Sequence, residues 1–390
     1  MKNYFVLIIL FLGCQYSPAQ QNILDSLEHQ EYQRKYMVHL PPGYSEVKDI
    51  PIVIFLHGGN GNLLNAQGFT RLNQVSNSID FVVVYPQGYH EPAPNSFVWA
   101  DGRSTGADKA GIDDVGFLDK LVKQLTQEYS IDSSRMYLCG FSNGSFMTQR
   151  MAFESETNFA AMGTLGGTLD SNLMVNSKPG EAIAMMYVFG TEDPFVPYEG
   201  GTVIGSTTNP VTGIENAVEY WVKNNNCKSE LDSMNLEDLN KEDNSTVTVF
   251  EYNDCDCDSD VIFYKIVGGG HTWPGVEIVS QEPLLGETNE DINAGEELWK
   301  FFRKHFACEA TSADNREESN ISIYPNPANE YVWISGISKI GLKYNIVDIF
   351  GNVMLEGITE NDEFRIDLSG FSSGIYFVSL SNQHYQVIKF

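Results

Sequence analysis

Three runs, IPIVIFL (50–56), FVVVY (81–85) and AIAMMYVFG (182–190), are apolar at nearly every position. A strand with one wet face alternates apolar and polar residues, whereas an unbroken run is buried on both faces. Several such runs in one chain demand a largely parallel sheet with cover on each side. RMYLCG (135–140) and VIFYKIVGG (261–269) continue the series, while YQRKYMVHL (32–40) alternates and reads as an early, partly exposed strand. Between them, DDVGFLDKLVKQLTQEY (113–129) and IENAVEYWVKNN (214–225) place apolar residues at helical spacing. The expectation is an α/β fold, a doubly wound and mostly parallel sheet within residues 30–308.

The chain changes texture twice. Residues 228–244 turn polar and acidic without a period and read as a surface insertion. EATSADNREESN (309–320) is charged and poor in apolar residues, as a linker is. From residue 321 short apolar runs such as YVWISG, FRIDLSG and GIYFVSL alternate with Gly, Asn and Ser. Strands at this spacing with no helix predict a small all-β sandwich over 321–390.

At the other end, MKNYFVLIILFLGCQYSPAQQ sets one lysine before an apolar run, Tyr4 to Leu12, with small residues at Ser17 and Ala19. The run is too short to anchor in a bilayer and matches a signal peptide over 1–19, cleaved after Ala19. No transmembrane segment is expected after its removal. Cys14, preceded by Gly13, offers a rival reading as a lipid-modified cysteine, against which Phe11 counts. Of 6 cysteines, Cys139 sits inside a strand and reads as a buried small hydrophobe. Cys227, Cys255, Cys257 and Cys308 remain for disulfides in an oxidising compartment. Cys227 with Cys255 or Cys257 is preferred, because it ties the acidic insertion shut.

The formal net charge is -28. Such a surface repels phosphates, which argues against nucleic acid or an anionic membrane as partner. DCDCDSD (254–260) alternates Asp254, Asp256, Asp258 and Asp260 but lacks the glycine and distal glutamate of a calcium loop, so a solvated acidic loop is expected. Cys255-x-Cys257 has no further thiol or imidazole near in sequence, and no metal is expected.

Gly140-x-Ser142-x-Gly144, following one of the apolar runs, suits a sharp strand-to-helix turn that lifts a hydroxyl above a sheet. A serine becomes a nucleophile only when a base takes its proton and a third group orients that base. In α/β-hydrolases the order is Ser, then Asp or Glu, then His, each on a loop after a strand. Asp193 follows the run ending at Phe189, with Glu192 a rival next door, and His271 follows the run ending at Val267. His29, His39, His57 and His90 precede the serine, while His305 and His384 lie at a helix end and in the tail. Only His271 fits both order and position. The backbone N–H of Asn143 and that of Gly59, in LHGGNGN (56–62), are the expected oxyanion donors. Trp99 and Trp273 are candidates for the walls of a pocket beside Ser142, core packing being the alternative. The chemistry needs no cofactor.

RMYLCGFSNGSFMTQRMA, FVVVYPQG, GIDDVGFLDKLV, GTEDPFVPYEGG and GGGHTWPG together resemble the secreted polyhydroxybutyrate depolymerase-like esterases, a family close to the feruloyl and acetylxylan esterases of carbohydrate esterase family 1. The resemblance covers most of residues 30–308. It implies an α/β-hydrolase fold and a serine esterase with Ser142, Asp193 and His271 as nucleophile, acid and base. Ser145 stands where the family often has a second glycine. ISIYPNPANEYVWI and SSGIYFVSLSNQHYQVIKF resemble the C-terminal sorting domain of the type IX secretion system of Bacteroidetes. That implies secretion machinery as a partner, export across the outer membrane, and no lipid on Cys14. The expected protein is a secreted or cell-surface carboxylic ester hydrolase acting on feruloyl or acetyl esters of plant polysaccharide. Hydroxyalkanoate oligomers are the alternative substrate, and a peptidase of the same fold or a non-catalytic surface binding protein the alternative classes.

Overall fold

Along Ile50–Leu56 (β3), Ile50, Ile52, Ile54 and Leu56 pack into one hydrophobic cluster, while Val53 and Phe55 pack into another. This period of two, apolar on both sides, is what an unbroken run becomes when a sheet has a core on each face. The structure, a computed structural model, describes residues 20–390 except 45–48, 80, 91–95, 205–209, 231–232, 277–281, 309–321, 336–342, 349–352, 360, 362 and 381–382. The signal segment 1–19, with Cys14, and the linker 309–320 lie outside the described residues.

The chain divides into two compact units, Met1–Cys308 and Glu309–Phe390. The first is built on an eleven-stranded sheet. Besides β3, its main strands are Gln21–His29 (β1), Tyr32–Leu40 (β2), Val82–Pro86 (β4), Ile131–Phe141 (β5), Ala161–Leu165 (β6), Ala184–Gly190 (β7), Thr246–Asn253 (β8) and Val261–Val267 (β9). They lie in the order β1-β2-β4-β3-β5-β6-β7-β9-β8. The pairs from β4 through to β9 are parallel. Antiparallel strands flank them, β1 on β2 and β2 on β4 at one edge, β8 on β9 at the other.

Helices Leu63–Thr70 (α1), Leu72–Ile79 (α2) and Ala294–Phe302 supply Leu63, Leu72, Leu298 and Phe302 to one cluster. Asp114–Glu128, Asn143–Glu154 and Ile214–Asn224 supply Phe117, Leu121, Met147 and Trp221 to the other. Trp299 stacks on Phe81 at 4.1 Å between centroids, and Phe302 on Tyr137 at 4.9 Å. Burying each such ring contributes about 2–3 kcal/mol.

Disulfides join Cys227 to Cys255 and Cys257 to Cys308, and Cys139 is a free, buried thiol. The acidic insertion carries a short pairing, Met234–Asn235 against Thr248–Val249, at the sheet edge. Among the described residues no group of three or more His, Cys, Asp or Glu is arranged to hold a metal, and no helix is long and apolar enough to cross a membrane.

The second unit holds two antiparallel sheets, of three and four strands. Val332, Ile334, Ile346, Ile366, Val378 and Val387 form its core. Tyr331–Ser335 alternates exposed and buried residues, as a strand with one inward face does.

Candidate active site

The chain leaves β3 for β4 on one side and later enters β5 on the other, so the strand order reverses there. In open α/β sheets the crevice outside the carboxyl ends of strands at such a reversal is where ligands bind. Gly58–Gly59 follows β3, Ser142 follows β5, Asp193 follows β7 and His271 follows β9. Ser142, Gly59, Asn143 and His271 line one cleft of about 910 Å³.

Ser142 has φ 55° and ψ -120°, a conformation that L residues avoid and that functional sites hold at a cost of order 1–3 kcal/mol. The helix Asn143–Glu154 begins at once after it. The two flanking glycines make the turn possible. A Cβ on Gly140 would lie 2.3 Å from the Gly144 carbonyl, and one on Gly144 would lie 2.1 Å from the Leu56 oxygen. Ser145 fits the same turn from behind. Its Oγ is 2.7 Å from both the Gly140 and Leu165 carbonyls and accepts from the Leu165 N–H at 2.8 Å.

Asp193 Oδ2 lies 2.6 Å from His271 Nδ1. Its Oδ1 accepts from the Phe195 and Val196 amides at 2.8 and 2.9 Å, so the carboxylate is locked in place. The Asp193 side chain is wholly buried, where a hydrogen bond to a charged group is strong. Glu192, the rival acid, is exposed. Phe141 and Phe195 flank the imidazole with ring centroids 4.9 and 5.3 Å away. With Nδ1 held by Asp193, Nε2 is the ring nitrogen left to exchange a proton with a hydroxyl.

Trp99 and Trp273 do not wall the cleft, which corrects the sequence expectation. Both are fully buried, because each ring is more valuable inside than at a wet rim. Trp273 packs edge-on against Phe55, Phe69 and Phe141. Trp99 donates its indole N–H to the His57 carbonyl at 2.9 Å. The apolar wall is formed instead by Phe195, Val203, Ile204, Leu284 and Leu285. His57 itself is structural: it bonds the Gly58 carbonyl at 2.7 Å, accepts from Gly88 N–H at 3.0 Å, and burial pushes its pKa down to about 4. Asp101 and Arg103, a buried ion pair at 2.5 Å beside the cleft, give no signal in sequence that separates them from surface charges.

Residues 34–195 match the family model described as Esterase PHB depolymerase, and residues 322–390 match that of the Secretion system C-terminal sorting domain. The chain is a carboxylic ester hydrolase. This esterase is 23% identical to a putative esterase of Nocardia uniformis over 67% of its own length and 77% of the relative's. It is 26% identical to feruloyl esterase C of Emericella nidulans over 55% of its length and 69% of that protein's. It is 25% identical to a bifunctional acetylxylan esterase/xylanase of Neocallimastix patriciarum, spanning 33% of the relative. Among solved structures, an acetyl xylan esterase from Aspergillus awamori overlays with a TM-score of 0.46 at 15% identity, over 73% of this chain and 98% of the other. The sorting domain gives the esterase an extracellular or cell-surface location.

Proposed function

We propose that this esterase works through Ser142, His271 and Asp193 on feruloyl or acetyl esters of plant polysaccharide. The observation that carries the triad is the Asp193–His271 hydrogen bond of 2.6 Å in the cleft that Ser142 lines from a strained turn. Ser142 Oγ attacks the ester carbonyl as His271 Nε2 takes its proton, and Asp193 stabilises the imidazolium that forms. The N–H groups of Asn143 and Gly59 receive the oxyanion, the first with the help of the helix that starts there. His271 returns the proton to the departing alcohol, and water, activated in the same way, releases the acyl group. Residues 30–308 then form the catalytic unit and 321–390 the export unit, joined by 309–320, after loss of 1–19.

The substrate reading draws support from the relatives named as feruloyl and acetylxylan esterases and from the apolar wall of Phe195, Val203, Ile204 and Leu284, which suits an aromatic or short acyl group. The test is hydrolysis by the purified full chain of methyl ferulate, acetylated xylan, p-nitrophenyl acetate and a hydroxybutyrate oligomer, with Ser142→Ala as control. Selective turnover of ferulate or acetylxylan is expected. Selective oligomer cleavage overturns the polysaccharide reading, and a fully active Ser142→Ala overturns the triad.

A further inference from the structure

The segment from Phe97 to Arg103 ties together the two stretches of backbone that carry the oxyanion donors, an inference that rests on the triad reading above. Asn143 Oδ1 accepts from the Trp99 N–H at 2.8 Å. Its Nδ2 donates to the Trp99 carbonyl at 3.3 Å and to Asp101 Oδ2 at 2.6 Å. Asp101 is held in turn by Arg103, whose Nε and Nη2 donate to Oδ2 at 3.1 and 2.5 Å and whose backbone N–H donates to Oδ1 at 3.0 Å. The guanidinium lies 3.4 Å over the ring of Phe146, one turn into the helix that Asn143 begins.

The same segment grips the loop after β3. The Trp99 indole N–H reaches the His57 carbonyl at 2.9 Å, and the Asn60 N–H donates to the Phe97 carbonyl at 2.9 Å. Trp99, Asp101, Arg103, Asn143 and His57 are all buried. Water does not compete for these hydrogen bonds, so the connected set is stiff. Asn143 is thus linked to both sides of Gly58–Gly59, to His57 through the Trp99 indole and to Asn60 through the Phe97–Trp99 backbone, as well as through the sheet.

We propose that Asp101 is a positioning residue of the oxyanion site, fixing the Asn143 side chain and, through Trp99, the spacing between the Asn143 and Gly59 amides. Donors act only when about 2.7–3.1 Å from the developing oxyanion, and a displacement near 1 Å costs about 100-fold in rate. A role in stability alone would leave the chemistry of folded molecules unchanged.

The test uses the full chain with Asp101→Asn and with Asn143→Ala, which keeps its backbone N–H. Turnover of p-nitrophenyl acetate is measured beside inhibition by an aryl trifluoromethyl ketone, whose serine adduct carries the same oxyanion. The expected result is a kcat lowered about 10- to 100-fold, a KM within about twofold, and a Ki weakened in step with kcat. Folded variants with unchanged kcat and Ki overturn the proposal, whatever their melting temperature. Should Asp101→Asn fail to fold, Asn143→Ala and Trp99→Phe decide the question, and loss of fold in all three assigns the network to stability and overturns it. A Ser142→Ala control as active as wild type removes the triad reading and this proposal together, and that control tells the two failures apart.

Discussion

The hydroxyl of Ser145 shows how much one atom can carry. It meets two carbonyls and one amide, on β5 and β6, directly behind the turn that holds Ser142. Ser145→Ala removes the hydroxyl's buried hydrogen bonds, the Leu165 carbonyl keeping the Ser142 N–H at 2.9 Å, at about 1 kcal/mol. Urea denaturation of the variant is expected to show that loss, and an unchanged midpoint would mean the turn does not need the brace. Histidine makes a second prediction at this scale. Burial holds His57 and His305 at pKa values of about 4. An unfolded histidine titrates near 6.5, so between pH 6.5 and 4 the unfolded chain binds protons that the folded chain refuses. Stability is full above pH 6.5 and falls as pH drops through that window, by about 3 kcal/mol for a site as buried as His57. Unfolding free energy measured from pH 7.5 to 4.5 is expected to decline, with a shallower slope in His305→Gln. A flat profile would contradict the assignment of these rings as neutral and buried.

At the scale of elements, the disulfides carry the clearest energy. Cys227–Cys255 closes a separation of 28 residues and Cys257–Cys308 one of 51. Chain-entropy estimates for loops of that size are about 4 kcal/mol each. The double variant Cys227→Ser/Cys255→Ser is expected to lose about 2–4 kcal/mol in guanidinium denaturation without reductant, and wild type in dithiothreitol to lose at least as much. Equal midpoints for all three would show that the bridges do not constrain the unfolded chain. Which elements were legible follows from chemistry. Ile50–Leu56 and Val82–Pro86 announce themselves because strands buried on both faces need apolar residues throughout. Ala161–Leu165 does not, since AMGTL is short and contains Ala and Gly, residues depleted in strands. Its Gly163 is there for packing: a Cβ would lie 2.3 Å from Leu298. The order of Ser142, Asp193 and His271 along the chain was readable because order is a sequence property. The burial of Trp99 was not, because Trp99 and Asp101 come together with Asn143 only in three dimensions.

The whole molecule presents a contrast between its surface and its cleft. The chain has 52 Asp and Glu against 24 Lys and Arg. Yet no carboxylate is among the described residues that line the cleft, which include Arg103 and Lys109. Arg103 is balanced by Asp101. Lys109 is exposed at the end of a short helix whose Asp108 is engaged by Thr105. A field from so acidic a surface repels an anionic ester at low salt and is screened beyond about 8 Å near 0.15 M, while Lys109 acts at short range in the opposite sense. For an ester bearing a carboxylate, kcat/KM is therefore expected to rise several-fold between 10 and 200 mM salt (about a 30 to 7 Å change in screening length), and for a neutral ester of equal size to stay level. Lys109→Glu is expected to raise KM several-fold for the charged ester alone. Equal salt response for both esters would mean that the surface field does not reach the cleft. An unchanged KM in Lys109→Glu would mean that the ammonium lies too far from the substrate to matter.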